Sequence, residues 1–314
     1  MHVWSFIDNK LSERTPVVLL YVLHSLGSSP GRQGFKMAVA ADNTFAGSIG
    51  GGIMEHKFVE MAKAIHNRRL AVPAMHRQVH DKNSTQDQSG MICSGEQTIF
   101  VYPVEKKDAA AINKLLLSLR QKLNGTLTLT PVGISFSEDM PEENFHLEIE
   151  GGQDFLLREK TGPKNILHIV GGGHCALALS RLMSTMDFHI HLYEERPGLN
   201  TMLQNDFVDE QHLLKSYAEL SSRIDEGENV YVVIMTMGYR TDEVALHALL
   251  NKKTRYLGVL GSKNKMDKLY AAYEGAHALM HVKSPIGLPI KSQTPEEIAV
   301  SIAAEIIAEK NKDQ

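Results

Sequence analysis

Two glycine-rich segments carry the clearest chemical signal in this sequence. The first is Gly47-Ser-Ile-Gly-Gly-Gly-Ile-Met-Glu55, and the second is Gly171-Gly-Gly-His-Cys-Ala176. Each follows a run with strand character and precedes a segment with helical spacing of its apolar residues. Glycine lets a backbone approach a ligand closely, and the first N–H groups of a helix attract anions. Both segments therefore predict anion-binding turns that suit a phosphorylated ligand.

The second segment fits the start of a dinucleotide-binding βαβ unit. The pattern Gly171-x-Gly173-x-x-Ala176 follows the apolar run 166–170 and opens a helix. Glu194 ends the next apolar run about twenty residues later, where an acidic side chain would meet a ribose hydroxyl. A Rossmann-like fold is therefore predicted. The glycines could serve a nucleotide such as NAD(P), or only the packing of helix on sheet.

Two weaker signals lie in the same half of the chain. Ser262 precedes a predicted helix, 263–274, that begins with Lys263 and Lys265. It could cap a helix start that receives an anion, or be a simple cap beside solvated lysines. His189 and His191 share one face of a predicted strand, a spacing compatible with a metal. The sequence offers no third ligand, so burial in a parallel sheet is the favoured interpretation of this pair.

Composition narrows the classes of protein. The chain has 314 residues, 43% of them hydrophobic, and a formal net charge of −4, which indicates folded domains and no nucleic-acid footprint. Its longest apolar run, 17–23, is shorter than the roughly 20 residues of a membrane helix. No signal peptide is evident, and Cys93 and Cys175 are the only cysteines. A cytoplasmic protein without disulfides or membrane contact is expected.

Periodicity predicts an α/β protein of two domains. The first half reads as strands 17–23, 35–41, 43–48, 97–104 and 126–136 with helices 53–66 and 108–123. Beyond residue 166, strands alternate largely with helices, which implies a doubly wound parallel sheet. The last helix, 295–310, has Thr294 as its predicted N-cap. The Pro- and Gly-containing stretch 136–164 predicts the boundary, giving domains 1–162 and 163–314.

Seven motifs in chain order resemble the XdhC/CoxI family of accessory factors, which mature xanthine dehydrogenase and related molybdenum hydroxylases. They are Gly27-Ser-Ser-Pro-Gly-Arg32, the segment 47–55, Cys93-Ser-Gly95, Val170-Gly-Gly-Gly-His174, Leu260-Gly-Ser262, Pro285-Ile-Gly-Leu288 and Thr294-Pro-Glu-Glu-Ile-Ala-Val-Ser-Ile302. The resemblance runs from about residue 15 to residue 308. It implies an XdhC/CoxI-type, molybdopterin-binding domain before the Rossmann-like domain.

The resemblance also implies a function and partners. A family member binds the molybdenum cofactor transiently and protects it while a cysteine desulfurase helps to install the sulfido ligand. It then passes the cofactor to apo xanthine dehydrogenase or a related hydroxylase, as a chaperone in purine catabolism. Members are typically homodimers or larger oligomers. The alternatives are an NAD(P)-dependent oxidoreductase and a nucleotide-sensing regulatory protein. Against the first, no catalytic Tyr-x-x-x-Lys pair or acid–base dyad is evident near a substrate pocket.

In that picture Cys93 contacts molybdenum, and a soft metal suits a thiolate. A phosphate of the cofactor suits either glycine turn, with Arg32 as a partner or simply a solvated loop residue. Glu55 could accept hydrogen bonds from the pterin or only stabilise a helix start. No catalytic residue is predicted. The candidate cofactor-binding residues are Cys93, Gly50, Gly51, Gly52, Glu55, Arg32, Gly171, Gly173, His174, Glu194 and Ser262.

Overall fold

A computed structural model describes residues 1–68, 73–80, 95–261 and 281–312. Within it the chain divides into two compact units, Met1–Gly162 and Pro163–Gln314. The predicted helix 263–274 lies outside the described residues. Among those that are described, no helix combines the length and the apolar character needed to cross a bilayer.

In its described residues, the first unit contains two antiparallel sheets and three α-helices. Its helices are α1 (His2–Ser12), α2 (Gly52–Arg68) and α3 (Ala109–Arg120). Its strands are β1 (Val17–Gly27), β2 (Lys36–Ala40), β3 (Phe45–Ser48), β4 (Ala74–Val79), β5 (Gly95–Val104), β6 (Gly125–Thr130), β7 (Gly133–Ser137), β8 (Phe145–Gly151) and β9 (Asp154–Thr161). The strand orders are β3-β2-β1-β5-β4 and β7-β6-β9-β8.

Strand β1 explains the longest apolar run of the sequence. Alternate side chains of a strand point to opposite faces of the sheet. Leu19 and Tyr21 enter a core with α1, α3 and the four-stranded sheet, whereas Val18 and Leu20 pack with Phe58 of α2. Both faces of this central strand are buried over residues 17–23, so this part has no polar alternation.

The single strand predicted over 126–136 is wrong. The structure forms a hairpin instead, in which Thr130 of β6 pairs with Gly133 of β7. Pro131 and Val132 make the two-residue connection, and the fixed backbone angle of proline suits a turn. The stretch 136–164, interpreted from sequence as a boundary region, contains the hairpin β8–β9. Left-handed glycines stand at the end of β8, residue 151, and in the turn, residue 152.

The second unit is a parallel, doubly wound sheet, as predicted. Its strands are β10 (Asn165–Val170), β11 (Phe188–Glu194), β12 (Glu210–Leu213), β13 (Gly227–Ile234), β14 (Thr254–Val259) and β15 (Val282–Lys283), in the order β12-β11-β10-β13-β14-β15. Its helices are α4 (His174–Met183), α5 (Asn200–Leu203), α6 (Leu220–Arg223), α7 (Tyr239–Leu249) and α8 (Pro295–Lys310). Helices α4 and α8 cover one face, and α6 and α7 cover the other.

The start of α8 confirms its predicted cap. The side chain of Thr294 accepts a hydrogen bond from the backbone N–H of Glu297, and the side chain of Glu297 accepts one from the Thr294 N–H. This reciprocal pair satisfies two donors that the helix itself leaves unpaired.

Candidate functional site

Three loops meet in the first unit where the glycine-rich motifs lie. They are the segment 27–32 after β1, the segment 47–52 before α2, and the start of β5 at Gly95. A Cβ on Gly50 would lie 2.6 Å from the Gly31 nitrogen, and one on Gly95 would lie 2.7 Å from the Ser29 nitrogen. Only glycine lets these backbones approach so closely.

Hydrogen bonds of two buried polar side chains hold this junction together. Gln97 of β5 is fully buried, and its Nε2 donates to the Ile49 carbonyl oxygen at 3.1 Å. Its Oε1 lies 3.0 Å from Nε2 of His80, which is also buried. Sequence reasoning missed both residues, because an isolated glutamine and histidine give no periodic signal. Their hydrogen bonds hold the second loop against β5.

The carboxylate of Glu55 binds the backbone of its own loop. Its Oε2 accepts from the Ser48 hydroxyl at 2.6 Å, from the Ile49 N–H at 2.9 Å and from the Gly51 N–H at 3.0 Å. Its hydrogen bonds among the described residues thus organise the helix start, one of the two roles expected for it. The amides of residues 49 and 51 are therefore engaged within the protein.

Gly51 nevertheless leaves an open approach to the turn. Residues 50, 51 and 52 are all left-handed, with φ of 127°, 77° and 70°. A Cβ built on Gly51 would meet no described atom within 4 Å. Helix α2 makes its first backbone bond from Glu55 to Gly51, so the N–H groups of residues 52–54 precede it. These are the donors that the helix leaves for an anion.

Of the remaining candidate residues of this unit, only Arg32 lies within the described part of the chain. Arg32 is exposed, and its guanidinium donates to the Gly27 carbonyl oxygen at 2.9 Å, so it closes its own loop. Cys93 lies outside the described residues, two positions before Gly95 in the sequence. Ser262, a candidate of the second unit, also lies outside them.

The glycines of the second turn have different tasks. Gly171 has a φ of 104°, and a Cβ on it would lie 2.5 Å from the Met235 carbonyl oxygen, so packing alone requires glycine there. Gly173 has an ordinary φ of −72° as the N-cap of α4, and a Cβ there would meet no described atom within 4 Å. The open side of this turn is therefore at Gly173.

Both carboxylate oxygens of Glu194 already accept hydrogen bonds from within the protein. Oε2 accepts from the Gly172 N–H at 2.8 Å and from Arg196 Nη2 at 2.7 Å. Oε1 accepts from the Glu195 and Arg196 backbone N–H groups, from Arg196 Nε and from the Tyr217 hydroxyl. Burial opposes its ionisation, but Arg196 and the N–H groups lower its pKa to about 2. The expected ribose contact would displace this internal network.

His174 is exposed at the start of α4 and lines an open groove. The groove has a volume of about 550 Å³ and runs along α4 and the first turns of α8, with Arg181 and Glu296 among its polar walls. Cys175, the residue after His174, is half-buried and packs at the edge of the core.

Comparison with known proteins gives two matches to one family. A sequence model described as the XdhC Rossmann domain matches residues 167–306, and one described as the XdhC and CoxI family matches residues 11–72. Between them they contain Gly50–Gly52, Glu55, Gly171–Gly173 and Glu194.

Relatives and a solved structure agree with these matches. A protein from Bacillus subtilis, named as a probable xanthine dehydrogenase subunit, is 30% identical over 50% of this chain and 46% of its own length. The uncharacterised protein YqeB from Escherichia coli is 25% identical over 96% of this chain and 45% of its own length. The chain thus spans somewhat under half the length of these relatives.

The crystal structure of a xanthine dehydrogenase from Bacillus halodurans has the same fold. The two chains superpose with a TM-score of 0.71 at 24% identity, over 100% of this chain and 97% of the other.

Proposed function

We propose, from the premise that this chain belongs to the XdhC and CoxI family, that it is an accessory factor for xanthine dehydrogenase or a related molybdenum hydroxylase. The name of the Bacillus subtilis relative supports association with such an enzyme. In this role the protein binds the molybdenum cofactor, protects it during sulfuration with a cysteine desulfurase, and delivers it to the apo-enzyme. The proposal includes a homodimer acting in purine catabolism.

The junction of three loops in the first unit is the observation that carries this proposal. Glycine contacts hold its backbones together, and Gly51 leaves a face with no described atom within 4 Å of its Cβ position. Such a face admits a planar, phosphorylated ligand that a side chain would exclude. Strand β5 begins at this junction, two residues after Cys93 in the sequence.

The residues present fit the molybdenum cofactor in a specific way. The cofactor supplies a soft metal, a pterin ring and a phosphate when it is bound. The N–H groups of residues 52–54 at the start of α2 would hold the phosphate, and Arg32 would add charge from the exposed rim. Glu55 fixes the turn that precedes these amides, because its Oε2 accepts from the N–H groups of residues 49 and 51. The thiolate of Cys93 would meet the metal.

The test measures the cofactor that the protein carries. The full chain is purified from cells that make molybdopterin, and molybdenum and pterin are measured per chain. Wild type is expected to retain both, whereas Cys93→Ala should lose most of the molybdenum. Cys175→Ala is the matched control, since this second cysteine packs at the edge of the core. Wild-type protein without pterin would refute the proposal.

A second variant tests the glycine face separately. Gly51→Asn keeps the left-handed backbone accessible, because asparagine tolerates positive φ better than other residues with side chains. Its side chain would occupy the open space beside the turn. Pterin content should fall while the unfolding transition stays close to that of wild type. Unchanged pterin content would place the ligand elsewhere.

The alternative is a nucleotide function of the Rossmann domain, as an NAD(P)-dependent oxidoreductase or a nucleotide sensor. The open Gly173 at the start of α4 favours it. The saturated carboxylate of Glu194 disfavours it, because a ribose would compete with Arg196 and the Gly172 N–H. Tight binding of NADH by a protein that carries no pterin would support this alternative over the first proposal.

A further inference from the structure

Four histidines and a glutamate line one face of the parallel sheet at its β12 edge. In the strand register His168 lies beside His191, and His191 lies beside Glu210. Two residues further along the strands, on the same face, His212 lies beside Tyr193. These side chains come from three neighbouring strands, so the fold gathers residues that are up to 44 positions apart in the sequence.

Three ligand-type atoms of this cluster form a nearly equilateral triangle. His191 Nδ1 and His212 Nε2 are 3.2 Å apart. Glu210 Oε2 lies 3.6 Å from the first atom and 3.4 Å from the second. Nitrogen and oxygen ligands placed tetrahedrally at about 2.0–2.1 Å from zinc lie about 3.3–3.4 Å from one another. The triangle therefore has the size of one face of a zinc coordination tetrahedron.

His189 adds a third imidazole next to Glu210. Its Nε2 lies 3.3 Å from the other oxygen of Glu210, and one ligand atom each of His189, His191 and Glu210 lie within 4.8 Å of one another. Asp209 lies on its far side, with Oδ2 3.7 Å from His189 Nδ1. A carboxylate behind a histidine is the usual outer partner of a metal-bound imidazole.

A hydrogen bond accounts for only one edge of this triangle. A single proton can join His191 Nδ1 to His212 Nε2 at 3.2 Å. Glu210 Oε2, at 3.6 and 3.4 Å from these two nitrogens, lies beyond the usual N–H···O length from both. His168 stacks on His191 at 4.9 Å between ring centres and limits its rotation.

We propose that His191, His212 and Glu210, with His189 at the fourth position, bind one divalent transition-metal ion, for which zinc has the best fit. Three imidazoles and one carboxylate form a borderline donor set that selects such ions over calcium or magnesium. This site is independent of the function proposed above. The ion would link β12, the short edge strand, to β11 and stabilise the edge of the sheet.

The test uses the full chain without an affinity tag and stripped of metal by a chelator. Titration with Zn²⁺ is followed by calorimetry, and titration with Co²⁺ by visible absorption. Wild type should bind one ion per chain with a dissociation constant of about 1 μM or tighter. The double variant His191→Gln, His212→Gln should bind at least about 100-fold more weakly. His56→Gln, at an exposed histidine of α2, should bind as wild type does.

The absorption spectrum keeps the proposal falsifiable if the double variant fails to fold. Cobalt in a tetrahedral site of three nitrogens and one oxygen gives strong visible bands, whereas octahedral cobalt gives weak ones. Strong bands in wild type, displaced by one equivalent of zinc, would support the site. Weak bands, no binding by wild type, or equal binding by a folded double variant would overturn it.

Discussion

Each glycine-rich turn brings a carboxylate of its own unit onto its backbone. Glu55 accepts from the N–H groups of residues 49 and 51, and Glu194 accepts from that of Gly172. These carboxylates bind some of the backbone N–H groups that the sequence analysis assigned to an anionic ligand. A bound phosphate must therefore use the N–H groups that remain, at the first turns of α2 and α4.

Glycine at 171 and glycine at 173 should respond differently to alanine. Gly171→Ala forces a left-handed backbone and brings Cβ against the Met235 carbonyl, so the free energy of unfolding should fall by more than about 2 kcal/mol. Gly173→Ala has an allowed φ and open space, so its stability should stay within about 1 kcal/mol of wild type. Urea unfolding of both variants measures the contrast. Equal losses would contradict the assignment.

Glu194 should make the free energy of unfolding depend on pH in the acidic range. Its pKa falls from the ordinary value of 4.5 to about 2 in the folded protein, so its ionised form contributes stability above pH 4.5. That contribution, about 3 kcal/mol from the size of the shift, is lost as the pH falls through 4.5 towards 2. Glu194→Gln should lack it. Subtracting the pH profile of unfolding of the variant from that of wild type isolates this group.

At the scale of elements, the sequence predicted the strands and helices whose apolar residues are buried. Both faces of β1 are buried over residues 17–23, and this continuous apolar run was predicted as a strand. Strand β8 exposes most of its second half and lies among glycines and a proline, so it could not be told from a linker. Strand β12 is short and polar, and with it Glu210 and His212 remained unseen as partners of His189 and His191. Only the register of the folded sheet brings them together.

The cap of α8 gives a prediction at this scale. Thr294→Ala removes the acceptor for the Glu297 N–H and should lower the free energy of unfolding by about 1 kcal/mol. Thr294→Ser keeps an acceptor oxygen at the same place and should lose much less. Denaturant unfolding measures both variants. A serine variant as unstable as the alanine variant would show that the methyl group, and not the hydrogen bond, contributes the stability.

At the scale of the whole molecule, each unit has hydrophobic clusters of its own. The clusters that contain β1 lie within Met1–Gly162, and those that contain β10 lie within Pro163–Gln314. A unit that buries its own core can fold without the other. The chain should therefore tolerate division between residues 162 and 163, and the two proposed sites should separate with the fragments.

Fragment 163–314 should fold cooperatively and bind zinc as the full chain does, because all four proposed ligands lie in its sheet. Fragment 1–162 should fold without binding zinc tightly and should retain pterin when it is made in cells that supply molybdopterin, because it contains the loop junction and Cys93. Thermal unfolding, zinc calorimetry and pterin analysis of each fragment measure these properties. Each fragment is the negative control for the other, since fragment 1–162 should not bind zinc tightly and fragment 163–314 lacks the loop junction proposed for the pterin. If two folded fragments bound no pterin while the intact chain did, the first unit alone would be insufficient and the site assigned to it would be wrong.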